Sequence, residues 1–109
     1  MEFPTASPDT VLLYEHVAAA LVQRGVKASA MFGMPTLKLE GKAVAGLYGD
    51  AMNFKLSGAA HADALALPGA HLFDPSGMGR PMKAWVVVPV ARAGEWERLA
   101  ALALAAIDA

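Results

Sequence analysis

Apolar and polar positions change period several times along this chain, and each change marks an element. Val11, Tyr14, Ala18, Leu21 and Val22 recur at the spacing of one helix face. Ser7-Pro8-Asp9 supplies the start of that helix: a capping hydroxyl, a proline suited to the first turn and a carboxylate at the positive end of the dipole. Arg24-Gly25 is the matching stop. The stretch VKASAMFGMP that follows has no clear period and reads as irregular. Period two takes over at Thr36-Leu37-Lys38-Leu39-Glu40 and predicts a strand. Gly41-Lys42 turns the chain into a second strand, Ala43 to Tyr48. Gly49-Asp50 is a hairpin signal leading into a third, Ala51 to Leu56. In that third strand Met52, Phe54 and Leu56 share one face, and Ala51, Asn53 and Lys55 the other.

Ser57-Gly58 precedes a short helix, AAHADALAL, ended by Pro68-Gly69. His71 to Asp74 is a short strand, and the Gly/Pro-punctuated segment 75–81 a loop. Lys83 to Val90 is a β-branched strand in which Pro89 ends the pairing or marks an edge. A last helix, Ala93 to Ile107, turns Trp96, Leu99, Ala100, Ala103 and Ile107 to one side. Leu102 and Leu104 fall off that stripe, so the helix is apolar nearly all round, as buried or interface helices are. The order α-β-β-β-α-β-β-α lacks strict alternation. It predicts an α+β domain, a mainly antiparallel five-stranded sheet with helices packed on it.

Composition narrows the picture. At 109 residues, 1–109 form a single domain, and 56% hydrophobic against 17% charged residues excludes disorder. The apolar surplus on so small a domain points to an oligomer, a homodimer in the simplest case. Nine basic and ten acidic residues give net −1, so no global field steers nucleic acid or anionic lipid, although a local patch can. Without cysteine there is no disulfide, thiol nucleophile or thiolate zinc site. The start MEFPTAS does not read as a secretory signal, and Leu99 to Ile107 is far short of the ~20 residues that span a bilayer. The expectation is a cytoplasmic protein without membrane contact.

Candidate chemistry is sparse. Asp74-Pro-Ser-Gly-Met-Gly-Arg-Pro, with Gly77, Gly79 and Arg80, resembles an anion cradle in composition. It feeds a strand rather than a helix and lacks phosphate-loop spacing, so turn chemistry accounts for its glycines. His71, Asp74 and Ser76 are triad residue types, but neither Ser57 nor Ser76 sits in a nucleophile elbow. His16, His61 and His71 show no ligand spacing, and the methionines read as core filler. No cofactor or metal follows. The outward sheet face is the stronger candidate: strand parity places Lys38, Lys55, Lys83 and Trp85 there, with Arg80 beside them, a basic surface with an aromatic.

MFGMPTLKLEGKAVAGLYGDAMNFKL followed by GAHLFDPSGMGRPMKAWVVVP resembles the N-terminal domain of the TfoX/Sxy family. The resemblance rests on Met31-Phe32-Gly33, Gly41-Lys42, Gly49-Asp50, Lys55-Leu56, Phe73, and Gly79-Arg80-Pro81-Met82 with Trp85, over roughly residues 8 to 108. It implies a secretion-chaperone-like α+β arrangement, often dimeric, in a family associated with regulation of natural competence. Longer members carry a helix-hairpin-helix-like second domain; the expectation here departs from them, a stand-alone copy without it.

Together these readings predict a non-catalytic binding or regulatory module acting through protein or nucleic-acid contacts at Lys38, Lys55, Arg80, Lys83 and Trp85. Two alternatives stand beside it. One is a small-ligand-binding protein or minor enzyme with a pocket between the loops 31–35 and 75–82. The other is a chaperone-like adaptor working through its apolar C-terminal helix.

Overall fold

A computed structural model describes residues 5–31, 34–74, 79 and 82–108. Helix α1 (Pro8–Val22) begins as its sequence dictates: Ser7 is the N-cap, and its hydroxyl accepts from the Thr10 backbone N–H at 3.3 Å. Strands β1 (Lys27–Met31), β2 (Met34–Leu39), β3 (Lys42–Leu47) and β4 (Ala51–Lys55) follow as a meander. Then come α2 (Gly58–Leu65), β5 (His71–Phe73), β6 (Met82–Pro89), a 3-10 segment Val90–Glu95, and α3 (Trp96–Asp108). The result is the expected α+β class with an antiparallel sheet, in the order β1-β2-β3-β4-β6-β5.

The sheet has six strands rather than five. The additional one is β1, from the stretch read as irregular. Ala28, Ser29 and Ala30 give it no large alternating apolar residue, and 27–30 are exposed because no element covers this edge. Pairing with β2, not an apolar face, makes it a strand. Pro89 is the last residue of β6, opposite Ala51, in a strand that lies inside the sheet; it ends the pairing and marks no edge.

Met52, Phe54 and Leu56 face the helices as strand parity requires, and join Tyr14, Leu21, Leu37, Trp96 and Leu99 in the main core. Burial pushes the Tyr14 phenol up to about 12. The indole N–H of Trp96 donates to Val88 O at 3.2 Å, which satisfies that ring where it is buried. A bulge between β2 and β3 pairs Leu37 with Ala45 and Lys38 with Ala43, leaving Val44 over; Val44 and Ala45 both enter this core.

The C-terminal helix is less uniform than its composition. It starts at Trp96, because Arg92 (φ −114°, ψ 27°) breaks the helical path upstream. Leu104 is buried and Leu102 is half-buried against the main core, so neither forms a free apolar face. Exposed apolar side chains lie instead on α1, at Leu12, Leu13 and Val22. No helix among the described residues is long and apolar enough to cross a membrane.

Candidate lysine-bearing sheet end

The helix-free face of the sheet holds the residues that parity sends away from the main core. Its centre is not solvated: Met34, Phe73, Trp85 and Val87 form a second buried cluster, flanked by Ala43, Tyr48 and Ala51. The Tyr48 and Phe73 rings meet edge to face, centroids 4.9 Å apart. Trp85 pairs with Lys55 across β4 and β6, on the face the sequence assigns, yet is only 7% exposed. Its ring is therefore part of this cluster and offers no exposed plane for stacking. The reason is that Trp85 falls into one buried cluster with Phe73 on β5 and Met34 on β2, which parity along a single strand does not reveal.

Asn53, expected to face outward, is fully buried beneath the cluster. Its Nδ2 donates to the Met34 sulfur at 3.8 Å, a weak bond, and its Oδ1 has no hydrogen-bond partner among the described residues. The Oδ1 lies over Gly46, where an added Cβ would come within 2.8 Å of it and 3.1 Å of Pro35 O. Thr36, also buried, bonds Met34 O at 2.9 Å.

The lysines gather at one end of this face. Lys27 pairs with Lys38, and Lys38 with Ala43 at the start of β3. Lys55 closes β4, and Lys83 lies near the start of β6, two residues before Trp85, where β6 slips register against β5. Lys42, opposite Leu39, stands at the same end but on the helix side. Lys55 and Lys83 are exposed and Lys38 half-buried. None of these lysines forms a salt bridge; among the described residues the one ion pair is Arg98–Glu95. Glu40, in the tight turn between Lys38 and Lys42, is the acidic residue amid them.

The opposite end of the sheet is acidic. Asp50, in the β3–β4 turn, accepts from Ser7 N at 2.8 Å and from the Thr10 hydroxyl at 2.9 Å, which holds its carboxyl below the ordinary range. Val90 N donates to Asp50 O, so Asp9 at the start of α1 and Glu95 and Glu97 around the start of α3 lie toward this end. Arg92 and Arg98 share that end, Arg98 paired with Glu95, so four carboxylates there stand against two arginines and the molecule of net −1 is polarised along its strands.

Of the predicted set, Lys38, Lys55 and Lys83 come together. Trp85 joins them in register but not at the surface. Arg80 lies outside the described residues, as do 32–33, 75–78 and 81 of the loops 31–35 and 75–82 between which a pocket was expected. Lys27 is the residue sequence reading missed, because its strand was not recognised. His61 Nε2 donates to Lys83 O at 2.7 Å, tying α2 to the start of β6. Among the described residues no three His, Asp or Glu side chains come together as a metal-ligand set. No family model matches the chain, and neither does a curated protein or a solved structure.

Proposed function

We propose that this protein is a non-catalytic binding module of the TfoX/Sxy N-terminal kind, which docks a polyanion, nucleic acid foremost, on the lysine-bearing end of its sheet. The observation that carries the reading is the gathering of Lys27, Lys38, Lys55 and Lys83, from four different strands, at one end of the sheet, none of them in a salt bridge among the described residues. Lysines free of carboxylate partners keep their charge for phosphate, and displaced counterions drive such binding. With Trp85 buried, base stacking has no platform here. Contact is then with the phosphate backbone and independent of sequence.

Fluorescence anisotropy of a labelled DNA duplex, at low and at physiological salt, tests this. Binding should fall steeply with salt and be lost in the Lys38→Ala/Lys55→Ala/Lys83→Ala variant. No binding at either salt overturns it. A homodimer belongs to the same proposal, checked by the mass of the protein in light scattering.

A further inference from the structure

At the lysine end, but around the rim from the sheet face, lies a cleft of about 380 Å³ lined by Lys42, Lys55, Leu56, Ser57, Ala84, Ala106 and Ile107. Its origin is plain in the chain path. β3 enters the sheet at Lys42, β4 leaves it at Lys55, and the last turn of α3 overhangs both. Ala84 and Ala106 are small, so the space between these elements stays open. Leu56 is buried behind it, its backbone N–H bonded to Ala84 O at 2.9 Å.

The cleft's two sides differ in chemistry. Leu56, Ala84, Ala106 and Ile107 form an apolar wall. Lys42, Lys55 and Ser57 line the remainder, two cationic side chains and a hydroxyl-bearing one. Ser57 is the N-cap of α2, yet its side chain makes no capping bond, so the first N–H groups of α2 have no side-chain cap among the described residues. One lysine suffices to offset the carbonyl end of α3. The second adds a positive charge to the described lining of the cleft.

We propose that this cleft binds a small anionic amphiphile, a carboxylate or phosphate monoester carried on a short apolar body. The anionic head lies between Lys42 and Lys55 and accepts from Ser57; the apolar body lies along Leu56 and Ile107. Charge-assisted hydrogen bonds fix the head, and apolar contact selects against small inorganic anions. The volume, at the small end of ligand pockets, suits a ligand well below nucleotide-polymer size. This goes beyond the polyanion reading and shares only Lys55 with it.

Calorimetric titration of the intact chain with octanoate, octyl phosphate, octanol and inorganic phosphate tests it, with amide chemical shifts of Ser57, Gly58 and Ile107 as the site readout. Octanoate, octyl phosphate or both should bind saturably and move those amides; which of them binds identifies the head group. Octanol and inorganic phosphate should bind at least about tenfold more weakly than the better amphiphile. Lys42→Gln/Lys55→Gln should weaken binding by a similar factor, and Ala106→Glu, an exposed substitution that the fold tolerates, should abolish it. Lys27→Ala/Lys38→Ala/Lys83→Ala should lose DNA and keep the amphiphile, which separates the two proposals. Saturable binding of neither amphiphile, octanol binding as tightly, or full affinity in Ala106→Glu overturns the assignment.

Discussion

Glu40 carries a cost that its neighbours do not. It sits at φ 51° in the two-residue turn joining β2 to β3, followed by Gly41 at φ 81°. A left-handed pair matches the twist of a hairpin, but only glycine, asparagine and aspartate take the first position without strain. Glu40→Asn should therefore raise stability by about 0.5–1 kcal/mol, read by denaturant midpoint. Removing that carboxylate from among the lysines should also tighten DNA binding, and a variant that stabilises without tightening would detach Glu40 from the surface. Asp50 makes a prediction of opposite character. Its carboxylate is held by Ser7 and Thr10, so its native pKa lies below the unfolded one. The stabilisation is complete above the unfolded value, near pH 4, and is lost as pH falls through the native value. Wild type should thus lose more stability than Asp50→Asn on acidification below about pH 4, and parallel stability curves would remove Asp50 from the account. Gly46 is constrained from two sides, by Asn53 Oδ1 at 2.8 Å and by Pro35 O at 3.1 Å. Backbone cannot step aside as a side chain can, so Gly46→Ala should cost about 1–3 kcal/mol.

At the level of elements, what was legible in the sequence depended on how large the alternating residues were. The Ser7-Pro8-Asp9 start, the strands on either side of Gly41 and Gly49, and the inward Met52-Phe54-Leu56 face all carry strong local signals and stand as read. β1 did not, because KASAM has no large apolar residue and is held by its neighbour. α3 misled in another way. Leu104 departs from the strict stripe, yet the helix is wedged against strands and α1 widely enough to bury it too. The adaptor reading, which needs a free apolar face on α3, loses its surface for that reason. Two leucines make the contrast measurable. Leu104→Ala removes buried side chain and should cost about 2–5 kcal/mol. Leu12→Ala, on the outer side of α1 where Leu12 is 65% exposed, should change stability by no more than about 0.5 kcal/mol in a monomer. A larger loss at Leu12 that depends on protein concentration would mark α1 as the dimer surface.

Across the whole molecule, charge is separated in a way that the net value conceals. The lysines stand at the strand ends near the β2–β3 turn, the carboxylates of Asp9, Asp50, Glu95 and Glu97 toward the other. Parity along β2 and β4 made Lys38 and Lys55 legible as one face. The pairing of β1 with β2, which adds Lys27, and the burial of Trp85 in one cluster with Phe73 and Met34 are tertiary facts that no single strand encodes. The addition and the loss change the expected physics. An exposed Trp85 would have predicted a preference for single strands, held by stacking as well as by charge. A row of lysines over a buried tryptophan predicts counterion release alone. If three to four of these lysines reach phosphates, log K against log salt should have a slope of roughly −3 to −4 on duplex DNA. Each Lys→Ala substitution at Lys27, Lys38, Lys55 or Lys83 should flatten that slope by about one unit, equally for unrelated duplex sequences. Charge reversal at Glu95 or Glu97, toward the far end of the sheet, should leave the slope unchanged, since screening beyond about 10 Å at 0.1 M salt isolates the two ends. A slope near zero, or one that responds to Glu97→Lys as strongly as to Lys55→Ala, would show that the polarity of the sheet does not steer binding.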